Sequence, residues 1–164
     1  MHIHGASAVI DGEIKKQVCI KAVDGFITAI STNCSETPDS NHAGTLIPGF
    51  VDIHSHGGGG FYFSDLSPEN VAAARNTHLA CGTTTHIASL VTEPIGVLEE
   101  QILRLLPMVN AGVFEGIHLE GPYLSHARCG AHEPTLLRSP TIAELSALID
   151  SGQGSISMVT LAPE

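Results

Sequence analysis

Pro48-Gly49-Phe50-Val51-Asp52-Ile53-His54-Ser55-His56-Gly57-Gly58-Gly59-Gly60 is the stretch on which the fold turns. Residues 50–54 form an apolar run of the kind that makes a buried parallel strand. His54 and His56 stand two apart at its end, so both imidazoles point to one face. Asp52 is assigned to the opposite strand face from His54. The four glycines that follow let the chain turn sharply and pass close to a ligand.

Downstream, strand and helix signals alternate. Ser67 caps a helix with Pro68 at its first position, and Gly82 follows its end, the usual asymmetry of helix termini. Residues 83–90 are β-branched and read as the next strand. Ile95, Leu98, Ile102 and Leu105 recur at helical spacing. Residues 116–120 make a third strand. Thr141-Ile142-Ala143-Glu144 is a capping box opening a helix with Leu145, Leu148 and Ile149 on one face, and Gly152 ends it. Residues 157–161 read as a fourth strand. Such alternation implies βα units around a parallel sheet. Four units are half of an eight-fold barrel, which typically needs roughly 250 residues.

Upstream the texture differs. Short apolar runs at 8–10, 18–23 and 26–30 are separated by Asp11-Gly12 and Asp24-Gly25, pairs that suit tight hairpin turns. The polar stretch 31–44 reads as a loop. The fold class expected is therefore α/β: residues 1–46 form part of a small all-β module. Residues 47–164 form the first half of a (β/α)8 TIM-type barrel, apparently truncated after the fourth strand.

Totals narrow the function. The chain has 164 residues, 43% hydrophobic and 15% charged, a composition that excludes disorder. Seven Lys and Arg stand against seventeen Asp and Glu, a net charge of −10. That balance argues against nucleic-acid and anionic-membrane partners, which are bound chiefly through Lys and Arg. No apolar run approaches the roughly 18 residues needed to span a bilayer. Cys19, Cys34, Cys81 and Cys129 form no CxxC pair, so reduced thiols in the cytoplasm are expected.

Three segments carry chemistry. His54 and His56, at the C-terminal mouth of a barrel strand, can hold a divalent cation. In Gly116-Ile117-His118-Leu119-Glu120-Gly121-Pro122-Tyr123-Leu124, Glu120 ends a strand and can add a carboxylate to that pair. His118 lies one layer deeper and reads as a hydrogen-bonded support, and His86 as core. Residues 125–134 form a long connection of the kind that binds substrate over a barrel mouth. Arg128 and His132 are its cationic candidates, and Cys129 is a neighbouring loop thiol.

Together these segments resemble the N-acetylglucosamine-6-phosphate deacetylase family of the amidohydrolase superfamily, in its N-terminal portion. HxH is shared by many amidohydrolases, dihydroorotase-like enzymes among them. His118-Leu119-Glu120-Gly121-Pro122-Tyr123-Leu124 followed by Arg128-Cys129-Gly130-Ala131-His132 is far more specific. The resemblance implies a (β/α)8 barrel with an accessory β-sandwich, of which residues 1–46 are part, and metal-dependent hydrolysis of the acetamide of N-acetylglucosamine 6-phosphate, with zinc as the expected cation. It implies His54, His56 and Glu120 as ligands, and Ala131 and His132 at the sugar; Arg128 and Cys129 are candidate loop contacts by position alone. It implies a homodimer for full-length members, and a general-base aspartate beyond residue 164. The competing expectation is a catalytically inactive half-barrel that binds metal or a partner.

Overall fold

The computed structural model describes residues 1–164. The chain divides into two compact units, Met1–Pro48 and Gly49–Glu164. In the first, strands β1 (His2–Ile10), β2 (Glu13–Val23), β3 (Phe26–Ser31) and β4 (Ser40–Leu46) make one sheet of order β3-β2-β1-β4. β1 and β2 are antiparallel, as are β2 and β3, whereas β4 runs parallel to β1. Both Asp-Gly turns hold positive φ at each residue: 53° and 79° at Asp11-Gly12, 50° and 82° at Asp24-Gly25. Two positive φ values in a two-residue loop are the type I′ geometry that matches strand twist.

Two readings of this unit are corrected. The stretch 31–44 is not all loop, because residues 40–46 form β4. Ser40, Asn41, His42 and Gly44 have little β preference of their own, but pairing with β1 (Ile3↔Ser40 through Ala8↔Leu46) supplies it. Strand preference is set by such context more than by residue type. Nor are all four cysteines free: Cys19 and Cys34 are disulfide-bonded, with Cα atoms 5.7 Å apart, leaving Cys81 and Cys129 as thiols.

In the second unit β5 (Phe50–Ser55) leads into a two-residue-by-two-residue hairpin, β6 (Gly57–Gly58) and β7 (Phe61–Tyr62). Then come α1 (Pro68–Ala80), β8 (Thr83–Leu90), α2 (Ile95–Asn110), β9 (Gly116–Glu120), α3 (Ile142–Ser151) and β10 (Ile156–Thr160). The four long strands form a wholly parallel sheet of order β10-β9-β8-β5. Sequential order in a parallel sheet means that each helix crosses over to place the next strand beside the last. A 3-10 turn at Pro134–Leu136 interrupts the connection from β9 to α3.

The helix signals act as expected. Ser67 Oγ accepts from the Asn70 amide and Thr141 Oγ1 from the Glu144 amide. Glu144 does not return the bond to complete the box; its carboxylate takes Tyr123 Oη–H at 3.1 Å and Arg138 at 2.8 Å instead. Leu98, Ile102 and Leu105 pack from α2 against Ala88, Leu90, Ile117 and Leu119 of the sheet, with Phe63, Phe114 and Leu148 closing the core. Tertiary burial of such a stripe contributes most of a helix's stability.

Two further corrections concern the sheet. The strand expected at 157–161 spans Ile156–Thr160. The strand at 50–54, expected to be buried, is an edge strand: Phe50, Val51 and Ile53 are each more than half exposed. β5 bonds only to β8, so its apolar run has no second neighbour to cover it.

Candidate metal centre

His54 near the end of β5, His56 just beyond it and Glu120 at the end of β9 meet at the C-terminal edge of the sheet. Nε2 of His54 lies 3.2 Å from Glu120 Oε2, and Nε2 of His56 lies 2.9 Å from the same oxygen. His56 Nδ1 stands 3.2 Å from the Ser89 carbonyl of β8. A carbonyl can only accept, so Nδ1 carries a proton, and Nε2, which faces Glu120, is the nitrogen that would bind a cation. The two imidazoles stand edge to face, centroids 5.3 Å apart.

Burial works to raise the Glu120 pKa. The hydrogen bond from His54, and the fields of His54, His56 and His132, outweigh it and hold the carboxyl below its ordinary value. Glu120 is thus an anion at neutral pH, the form a cation needs.

Beneath the pair lies His118, fully buried, its ring centroid 4.7 Å from that of His54. Its nitrogens are taken by Ser89 Oγ at 3.0 Å and Thr160 Oγ1 at 2.8 Å. Desolvation, then the neighbouring His54, push its pKa down to about 4. A neutral imidazole with both nitrogens engaged supports the site and donates nothing to it.

His132 completes the ring around Glu120. Its Nδ1 lies 2.7 Å from Thr92 Oγ1 and its Nε2 3.5 Å from Glu120 Oε2. Thr92 Oγ1–H also donates to the Glu120 carbonyl at 3.3 Å. A cleft of about 720 Å³ opens above, lined by His54, His56, Glu120, Arg128, Ala131 and His132, with Cys129 in its wall. Every residue singled out in the sequence for ligand or substrate contact borders this one cleft. Thr92 and Thr160 were missed, since a lone threonine announces nothing until the register sets it against a histidine.

A second donor group lies between α1 and the sheet: Asp52 of β5, His78 of α1 and His86 of β8. Asp52 does face away from His54, but strict alternation would have put the two together. A bulge decides it: Asp52 pairs with His86 and Ser55 with Ala88, so three steps along β5 match two along β8.

The His54, His56 and Glu120 donors suit a divalent cation. Zinc takes nitrogen and carboxylate oxygen at about 2.0–2.2 Å, and catalytic sites commonly keep three protein ligands and an open position. Donor separations of 2.9 and 3.2 Å are close to what such bonds impose, and the cleft leaves the remaining side open.

Fold and site define a class: a parallel βα domain with a His/His/carboxylate set at the C-terminal ends of its strands. Known proteins resemble the chain over most or all of its length. It is 40% identical to an N-acetyl-D-glucosamine-6-phosphate deacetylase variant from Mycobacterium smegmatis, solved with N-acetyl-D-glucosamine-6-phosphate; the match covers 100% of this chain and 44% of that one, with a TM-score of 0.91. The N-acetylgalactosamine-6-phosphate deacetylase of Shewanella sp. (strain ANA-3) is 31% identical over 98% of this chain and 43% of its own length. The N-acetylglucosamine-6-phosphate deacetylase of Danio rerio is 38% identical over 73% of this chain and 31% of its own. No protein-family model matches. Over nearly its whole length the chain is similar to the N-terminal portion of N-acetylglucosamine- and N-acetylgalactosamine-6-phosphate deacetylases, and it spans less than half the length of these relatives.

Proposed function

We propose that the chain is the metal-ligating part of an enzyme that hydrolyses the acetamide of N-acetylglucosamine 6-phosphate, releasing acetate and glucosamine 6-phosphate. The observation that supports this most is the convergence of two imidazole nitrogens on one Glu120 oxygen at the floor of an open cleft. His54, His56 and Glu120 would hold a divalent cation, zinc on this reading, which when bound would supply a water of lowered pKa and polarise the amide carbonyl. His56 is oriented for this by Ser89, and Glu120 stays ionised among its histidines. His132 and Ala131 border the space for the sugar. Arg128 is the one guanidinium or ammonium group lining the cleft, and it is the candidate for an anionic substrate in a chain of net charge −10.

On this reading the parallel sheet is the first half of a (β/α)8 barrel and the first unit part of a β-sandwich. The general-base aspartate belongs to sequence after Glu164, and the full-length enzyme is a homodimer. The partner is a small amino-sugar phosphate, with no nucleic acid. No helix is long and apolar enough to cross a membrane. A cytoplasmic location belongs to the same reading, although the Cys19–Cys34 bond argues for an oxidising compartment.

The alternative, a half-barrel that binds a cation without turnover, is favoured by one observation. Asp52, the carboxylate nearest the ligands in sequence, faces α1 and cannot serve as base in the cleft. One experiment separates the two: zinc binding and acetate release measured together on the full-length gene product, with N-acetylglucosamine 6-phosphate and its galacto epimer, beside a Glu120→Ala control. Zinc uptake and acetate release, both lost in the control, support the enzyme. Zinc uptake without acetate supports the inert half-barrel. No zinc uptake overturns the metal centre.

A further inference from the structure

Asp52, His78 and His86 have no place in the cleft, yet each holds the segment that carries the two ligand histidines. Asp52 Oδ1 accepts the His54 amide at 3.1 Å. His86 Nε2 and Ser55 Oγ are 2.5 Å apart. His78 Nε2–H donates to the Gly57 carbonyl at 2.9 Å. Three residues from three elements thus grip residues 54, 55 and 57 from the helix side while His54 and His56 reach into the cleft. They also gather among themselves: Asp52 Oδ2 lies 3.8 Å from His78 Nδ1 and 3.9 Å from His86 Nε2.

The surroundings fit a clamp. A side chain at Gly58 would meet His78 Nε2 at 2.9 Å and the Ala74 carbonyl at 3.1 Å, so glycine there gives His78 its access to Gly57. His86 is 2% exposed and stands edge to face against Phe63, centroids 5.0 Å apart, and against Phe114 at 5.8 Å. It is fixed by packing before it meets Ser55. The β5 bulge brings Asp52 and Ser55 to the same side, so that Asp52 holds the His54 amide while His86 holds Ser55. Bulges recur next to functional sites because they re-aim side chains.

We infer that Asp52, His78 and His86 are positioning residues that clamp the His54–His56 segment from beneath and so set the geometry of its metal donors. This rests on the metal reading of His54, His56 and Glu120. Groups one step behind a metal ligand typically change affinity by about 10–100-fold when removed. The Nε2 atoms of both His78 and His86 are engaged by the clamp, and cobalt titration distinguishes it from a second cation site.

The test is cobalt(II) titration of the whole chain, followed by d–d absorption, in wild type, His78→Ala and His78→Gln. A glutamine amide nitrogen can occupy the place of imidazole Nε2 and donate to Gly57. The expected result is affinity about 10–100-fold weaker in His78→Ala and restored to within about 3-fold in His78→Gln. Equal affinity in all three overturns the clamp, as does equal loss in both variants, which marks a merely structural role. Cobalt binding that survives His54→Ala but disappears in His78→Ala also overturns it, making the cluster itself the cation site. A second measurement needs no cation: amide hydrogen exchange at His54 should quicken in Asp52→Ala and stay slow in Asp52→Asn, and unchanged exchange in Asp52→Ala overturns the clamp. Wild type that shows no cobalt spectrum but does show this exchange pattern sinks the metal reading alone and leaves the clamp standing.

Discussion

Tyr123 is 1% exposed, and its phenol donates to Glu144 Oε1 at 3.1 Å. Burial, then the Glu144 hydrogen bond and charge, push its pKa up to about 12. A raised pKa means that the folded protein keeps a proton the unfolded chain has lost, so stability falls as pH rises from 10 to 12. Two pKa units correspond to about 3 kcal/mol, an upper figure for a buried group. Urea unfolding of wild type and Tyr123→Phe across that window should show the wild type losing on the order of 2 kcal/mol more than the variant. Parallel losses would mean that the phenol is already solvated. The ligand residues were readable in the sequence because HxH at a strand end and Glu120 at another obey simple rules of alternation and termination. Of the residues behind them, His118 was readable as a buried support and the others were not. Thr92, Thr160 and His78 gain their roles only from register and from a helix crossing, and Asp52 gains its orientation from a bulge that no local pattern announces.

The elements show the same division. α2 was legible because its stripe is strong. Ile102 is completely buried, and Leu103, the next residue, is 51% exposed. Ile102→Ala should therefore cost about 2–5 kcal/mol in chemical denaturation, the range for deleting a buried aliphatic chain and leaving a cavity. Leu103→Ala should stay within about 0.5 kcal/mol. Similar costs at both positions would show that the helix is held by its own propensity and not by its inner face. The elements misread are those whose cause is not local. β4 is polar and exists because β1 offers it a partner. β5 is apolar enough to look buried, but its position at the sheet edge leaves it exposed. Likewise, the spacing of Cys19 and Cys34 said nothing of pairing. Their approach follows from β2 reaching Cys19 opposite Ser31, the last residue of β3, with Cys34 three residues on.

At the scale of the molecule, the parallel sheet leaves two edges open, since β5 bonds only to β8 and β10 only to β9. Closed barrels abolish such edges, and open sheets protect theirs with lysines, prolines or short strands. The outer edge of β5 has none of these devices: Phe50, Val51 and Ile53 are exposed, and the chain from residue 49 onward contains no lysine. Unpaired amides and carbonyls beside apolar side chains are a template for another strand. A net charge of −10 opposes association between copies, but at a Debye length of about 8 Å in physiological salt that repulsion is largely screened. The isolated chain should therefore self-associate in sedimentation velocity, its average mass rising above 17.1 kDa with concentration. Val51→Lys combined with Ile53→Lys places charge on the open strand without touching His54, His56 or Glu120, and should return the mass toward the monomer. A wild type that stays monomeric at every concentration would show that the edge is covered by something other than a second strand. Association unchanged in the double variant would move the contact to β10.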